Sequence, residues 1–470
     1  MAGLMPRHGQ ANAASEEARQ ERFRYMTQTP VRKLVLTLAV PTIISMLVTG
    51  IYNMADTFFV GRISTQATAA VGVVFPLMSI IQAMGFFCGQ GSGNYVSRKL
   101  GAGEMKDARE MAATGFVLAL IIGTVFSAVC LVFLKPLAVL LGAIPSILED
   151  TLAYMRIILF GAPFMMSQLT INNQLRFQGN AFYAMIGLVS GAVLNIGLDP
   201  FFMFVLGMGV SGAALATVLS QCVSFVILLI GDIRVSGVPI NPKYTRLNAH
   251  YLSQIANGGT PSLARQGLGS VSSVLLNARA GLLGGDAAIA GMSVVVRAMM
   301  LAMSALIGFG QGFQPVSSFN YGAKKYTRVR EAFFFCVTYG TLFLLLVAVP
   351  GFVFAPQVIG FFRNDPEVIA VGKVALRFQA CVFPLNAFVV MSNMLLQSIG
   401  KGVRATLLAS LRSGLFMIPT LLILSYLFGL LGVEMSQTVS DILTFLVSIP
   451  LVLPVLNAMR TDGNAAVEKL

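Results

Sequence analysis

Gly89–Ala112 reads GQGSGNYVSRKLGAGEMKDAREMA, and Gly310–Phe333 reads GQGFQPVSSFNYGAKKYTRVREAF. Gly89-Gln90-Gly91 falls on Gly310-Gln311-Gly312, Gly101-Ala102 on Gly322-Ala323, and Arg109-Glu110 on Arg330-Glu331. Each pair is 221 residues apart (310 − 89, 322 − 101, 330 − 109). Nearer the start of each half, Pro41-Thr42 falls on Pro261-Ser262, 220 apart (261 − 41). A chance match of glycine-rich loops would not hold one offset over separate blocks. The chain is therefore read as a duplication.

What is duplicated follows from composition. Of 470 residues 56% are hydrophobic and 11% charged, and the mean hydropathy is +0.79. Soluble domains carry about 25% charged residues, so this is an integral membrane protein. Barrel strands would give short alternating segments. Instead, apolar runs of about 20 residues recur, each long enough to cross as a helix. Twelve spans are expected, roughly 35–60, 66–92, 111–134, 151–175, 181–206, 210–231, 253–283, 287–313, 332–354, 370–395, 403–430 and 434–457. The expected fold is all-α, with twelve transmembrane helices in two pseudo-symmetric six-helix lobes. Its parts are an N-terminal tail (1–33), an N-lobe (34–231), a linker (232–252), a C-lobe (253–457) and a C-terminal tail (458–470). Six spans return each half to its starting side, so the repeats are parallel and related by an axis along the membrane normal.

The net charge of +13 is explained by its placement. Arg22, Arg24, Arg32 and Lys33 precede the first span, and Arg98, Lys99, Lys106 and Arg109 follow the second. Lys243 and Arg246 follow the sixth, and Lys324, Lys325, Arg328 and Arg330 the eighth. The alternate loops carry few cations. This is the positive-inside pattern, with both termini expected in the cytoplasm of a cell with a plasma (inner) membrane; binding of nucleic acid is not expected. The five Cys have no paired spacing, and the two His lie in polar segments. No Gly-x4-Gly-Lys-Ser/Thr loop is present to cradle a nucleotide. No enzyme activity, resident metal or cofactor is expected, and energy must come from a gradient or a partner.

Few acids lie inside the spans: Asp56, Asp199 and Asp441. An ionisable group in hydrocarbon is costly and points to function. Asp199 follows Asn195 by one helical turn, and Pro200 removes a backbone donor just after it. At ~1.5 Å per residue, Asp199 and Thr217 lie ~10 Å, and Asp56 ~6 Å, below the outer ends of the fifth, sixth and first spans. Tyr52 shares the stripe of Asp56, and Asn172 and Asn173 add amides deeper in the fourth span. Two neighbouring carboxylates would share a proton or hold a cation such as Na⁺, because like charges resist joint ionisation. The plainer reading has Asp199 bonding backbone at a helix break and Asp56 at the interface; Asp441 is open between the two. The second half differs, with Arg265, Gln266 and Arg297 in its first two spans. These arginines pair with an acid or line the cleft.

The chain resembles the multidrug and toxic compound extrusion (MATE) family, most closely its prokaryotic MepA/DinF-type branch. The resemblance runs over residues 34–457. It rests on Pro41 with YNMADTFFVG (Tyr52–Gly61), the paired Gly-Gln-Gly stretches, and NIGLDP (Asn195–Pro200). It implies a cation site of Asp56, Asn195, Asp199 and Thr217, further cleft groups at Tyr52 and Asn172, and a bending first helix at Pro41. A related branch has an acid in the seventh helix, where this chain has Arg265 and Gln266. The implied activity is export of organic, mostly cationic compounds in exchange for H⁺ or Na⁺, by a monomer in the bilayer. A flippase for lipid-linked precursors and a channel or structural membrane protein are the alternatives.

Overall fold

The computed structural model describes residues 7–460, all helices and short connections. Residues 1–6 and 461–470, parts of the two expected tails, lie outside the described residues. The helices are α1 (Arg7–Gln28), α2 (Val31–Gly61), α3 (Thr65–Gly101), α4 (Met105–Val132), α5 (Leu134–Leu140), α6 (Leu148–Phe177), α7 (Ala181–Pro200) and α8 (Gly209–Val235). Then come α9 (Ala249–Gly322), α10 (Tyr326–Val353), α11 (Ala355–Phe362), α12 (Pro366–Val382), α13 (Leu385–Ser398), α14 (Gly402–Ser410), α15 (Met417–Phe428) and α16 (Leu430–Ala458). Single π-helical turns extend α7 over Phe201–Val205 and join α14 to α15 over Leu411–Leu415.

Among the described residues the crossing segments number twelve. Ten helical segments are long and apolar enough, and the pair α12–α13, bent by 59°, makes one more. The remaining one is inside α9. Its 74 residues would extend ~110 Å, several times a hydrocarbon core of ~30 Å. Gly285 breaks it with φ 62° and ψ −158°, giving a first arm (249–284) and a second arm (286–322).

The helices overrun the apolar windows where the two halves meet. The second span was expected to stop near residue 92, yet α3 runs to Gly101. Gln90, Ser92, Asn94 and Ser97 are fully buried there; Gln90, Asn94 and Ser97 meet polar partners from the other half, and Ser92 meets Gln174 of its own half. Hydropathy reads such residues as the end of a span. In the segment expected as a polar tail, α1 leads into α2, and its Arg22 donates to the Val235 carbonyl (2.8 Å).

The two quoted stretches pack against each other. A Cβ on Gly101 would overlap the Phe319 carbonyl oxygen, and a Cβ on Gly322 would overlap that of Arg98. These contacts are reciprocal, because 319 − 98 and 322 − 101 are both 221. A two-fold relation between the halves requires that reciprocity. Gly91 likewise meets the Ile255 carbonyl, and Gly312 the backbone of Ala39. Side chains complete the joint: Ser262 Oγ donates to Gln90 Oε1 (2.6 Å), Ser318 Oγ to Asn94 Oδ1 (3.2 Å), and Arg98 to the Ser398 carbonyl (2.9 Å). All of these lie toward the face that carries the basic loops, called here the basic face. Toward the far face the N-half keeps its own core, formed by Val60, Val74, Leu77, Tyr154 and Met203 with their neighbours, and no residue of the C-half enters it.

Candidate ion and substrate site

In the N-half, α2, α7 and α8 bring Asp56, Asn195, Asp199 and Thr217 together. Asn195 Nδ2 donates to Asp199 Oδ1 (3.3 Å) and to Thr217 Oγ1 (3.4 Å). Asn195, Asp199 and Thr217 are buried, and Asp56 is half-buried. The two carboxyls act on each other electrostatically, and both act on the hydroxyls of Tyr52 and Tyr154. Four oxygens of this region are buried without a hydrogen-bond partner: Asp56 Oδ1, Asp199 Oδ2, Asn195 Oδ1 and Ser220 Oγ. Unpaired buried acceptors are costly. Three of the four are carboxyl or amide oxygens, the donor set a hard cation or a proton would satisfy. Among the described residues no three His, Cys, Asp or Glu side chains cluster, so any ion bound there would also need amide and hydroxyl oxygens.

The backbone explains how the acid is presented. Pro200 cannot donate to the carbonyl one turn back, and the helix then widens into the π turn, with Leu206 N bonding the Phe201 carbonyl (3.0 Å). Single π turns inside α-helices recur at functional sites. Asp199 stands just before this irregularity. Tyr52 lines a cavity of ≈ 70 Å³ with Thr49, Gln82, Gln168 and Gln221. Around Pro41 the helix stays continuous. Thr42 Oγ1 bonds the carbonyls of Ala39 (2.8 Å) and, across the joint, Gly308 (2.7 Å).

Asn172 and Asn173 are held by other groups. Asn172 Nδ2 donates to the Ala184 carbonyl (2.8 Å), tying α6 to α7. Asn393 does the same to Ala405 (2.6 Å), and 393 − 172 and 405 − 184 are again 221. Asn172→Ala and Asn393→Ala are therefore expected to lower stability by similar amounts, ~1–3 kcal/mol each for an orphaned buried carbonyl. Thermal melting of the purified protein checks this; a loss from one variant alone would contradict the equivalence. Asn173 Oδ1 accepts from Arg176 (2.5 Å), whose other nitrogen donates to Gln311 Oε1 (2.6 Å). Arg176 is 1% exposed and bridges the halves. Its signal in the sequence is the Gly-Gln-Gly repeat, which marks its partner Gln311 as a joint residue.

In the C-half, Asp441 faces an ion-pair partner. Arg412 Nε lies 3.2 Å from Asp441 Oδ1, which also accepts from Gln437 (2.9 Å), while Oδ2 accepts from Asn386 (3.0 Å). Arg265 lines a small cavity with Arg412, whereas Arg297 is exposed.

Comparison with known proteins agrees with this architecture. The MatE family profile matches residues 41–201 and 261–423, one copy in each half. The chain is 26% identical over 454 residues to the multidrug export protein MepA of Staphylococcus aureus (strain MSSA476), covering 96% of this chain and all of that one. Among solved structures it resembles MATE in complex with MaL6 (TM-score 0.88, 27% identity, 93% of this chain and 99% of that one). It also resembles an outward-facing multidrug resistance MATE family transporter of the MOP superfamily (TM-score 0.87, 27% identity, 94% and 99%). Two profile copies set 220 residues apart (261 − 41), over twelve crossings in two related halves, place this chain in the MatE family.

Proposed function

We propose that this chain is a secondary active exporter of organic, mostly cationic compounds, driven by inward movement of H⁺ or Na⁺. The observation that carries the reading is the N-half site: two acids on separate crossing helices that act on each other electrostatically, with Asn195 bonding Asp199 and Thr217 and a carboxyl oxygen of each acid left unpaired. Such a site gains or loses charge as an ion arrives and leaves. The name of the relative MepA, a multidrug export protein, supports the substrate class. By the positive-inside rule the basic face is cytoplasmic, which puts both termini in the cytoplasm and makes this conformation, joined at the basic face, outward-facing.

In the outward-facing state Asp56 and Asp199 take up a proton or Na⁺ and the substrate leaves. With the charge neutralised, α2 repacks around Pro41 and the halves part at the joint built by Gly101 and Gly322. The ion then leaves to the cytoplasm and a new substrate enters. An ion drives this cycle only by binding the two states with different affinity. Beside its polar groups, the cavity next to Tyr52 is lined by Met46, Phe86 and Met165, and aromatic and thioether faces suit flat cationic guests.

In proteoliposomes, an imposed proton or sodium gradient is expected to drive saturable uphill movement of ethidium. A non-saturating flux indifferent to both gradients would mark a channel, and lipid scrambling without ethidium movement a flippase; either result overturns the reading.

A further inference from the structure

The helix α1 stands outside the duplication. Before the first arm of α9 the second half forms only a 3-10 turn, Pro242–Tyr244, where the first half has 22 helical residues. It is not one of the apolar crossing helices either. Its contacts set it across the joint. On the N-half side Arg22 Nη2 donates to the Val235 carbonyl (2.8 Å) and to Asn180 Oδ1 (3.2 Å). On the C-half side Asn320 Nδ2 donates to the Met26 carbonyl (3.1 Å) and Arg328 to the Thr29 carbonyl (2.6 Å), while the Phe23 ring lies 5.8 Å from that of Phe319.

Beside this strap, at the basic face, is a cavity of ≈ 430 Å³ that shares no residue with the ion site. Both halves form its floor, Leu100 and Gly103 from one and Phe319 from the other, next to the reciprocal contact of Gly101 and Gly322. Its wall on α1 carries Arg19, Arg22 and Arg24, three cations within six residues. Among the described residues no acid lines it; Glu17 and Glu21, on the same helix, are exposed and outside the wall. Three like charges around one cavity repel one another until an anion enters. Arg22 also has an unmet donor: its Nη1 is buried without a hydrogen-bond partner, a cost that an acceptor would remove. Guanidinium groups meet phosphate oxygens through charge-assisted bonds.

We infer that this cavity binds a phosphate-bearing anion, gripped by Arg19, Arg22 and Arg24, and that the bound anion fastens α1 across the joint. The binding stands apart from the exporter reading. Its effect on transport rests on that reading: the halves must part at this joint for the cycle to proceed, so the anion slows export. The volume is at the low end of ligand sites. A soluble phosphate compound and the headgroup of a lipid share this chemistry, and the test separates them.

The test is calorimetric titration of pyrophosphate into the full chain in phosphatidylcholine nanodiscs, at physiological ionic strength, where bare surface charges are screened. Arg19 and Arg24 are exposed, so Arg19→Gln and Arg24→Gln should fold. Each is expected to bind pyrophosphate at least ~10-fold more weakly, the scale of about one lost charge-assisted bond. Lys106→Gln removes an exposed cation of the same face that does not line the cavity, and should bind as the unaltered chain does. Full affinity in both arginine variants, or an equal loss in Lys106→Gln, would overturn the inference. Phosphatidic acid added to the disc displaces pyrophosphate if a lipid headgroup is the source and leaves it bound if a soluble anion is; either result keeps the site and names its source. In proteoliposomes, pyrophosphate on the α1 side is expected to slow ethidium export by the unaltered chain and not by Arg24→Gln. Binding with export undiminished would overturn the fastening. Absence of any ethidium export would sink the exporter reading alone, because pyrophosphate binding needs no gradient.

Discussion

Gly101→Val and Gly322→Val are each expected to lower the stability of the purified protein by ~1–3 kcal/mol or more, the range for forcing bulk into a filled contact. The clash is with backbone. The Cβ of either residue would overlap a carbonyl oxygen of the opposite half, Phe319 for Gly101 and Arg98 for Gly322, and no rotamer relieves that. The halves must separate at the basic face, which pulls on the buried bonds Ser262–Gln90 and Arg176–Gln311. Once one valine has parted the helices the second meets an open gap. The double variant should therefore cost less than the sum of the two, as expected for positions that share one contact. Gly72→Ala is the control, since nothing lies within 4 Å of a Cβ there; it should be neutral or slightly stabilising. Thermal melting in detergent reads all four variants. Wild-type melting of both single variants would contradict the reciprocal joint, and full additivity would contradict its sharing.

That joint also shows what the sequence disclosed. The 221-residue offset was visible in Gly101 and Gly322 because a close backbone approach leaves no alternative residue, and the twelve crossings followed from apolar length. The ends of the helices were harder to read. Gln90, Asn94 and Ser97 look like the end of a membrane span, yet the opposite half buries and pairs them. The acids Asp56 and Asp199 stood out because charge in hydrocarbon is rare, and Asn195 and Thr217 were placed beside them by helical spacing and resemblance. Arg176 stands one residue past the expected end of the fourth span, and its partner Gln311 is 135 residues away, so nothing local marks it. Asp441 was ambiguous for the same reason: its partner Arg412 lies on another helix, exposed by a π turn that no periodicity announces.

Asp199→Asn is expected to reach the membrane in normal amount and to lose all uphill export. The amide has the shape of the carboxylate and can still bond Asn195, so folding is spared. Its charge no longer changes, however, so an ion gradient finds the same site loaded or empty. A ligand without differential affinity shifts no equilibrium. Downhill exchange of ethidium across the bilayer should survive, because the substrate path is untouched. Uphill transport at the wild-type rate would show that Asp199 is a structural acid at a helix break. Asp56→Asn should act in the same direction.

The most direct test of the coupling claim is ion movement triggered by substrate. Proteoliposomes holding the unaltered chain or Asp199→Asn receive ethidium, while internal pH and radioactive sodium uptake are followed in parallel. The account predicts a proton or a sodium signal from the unaltered chain and neither from the variant. Equal signals from both proteins would contradict it.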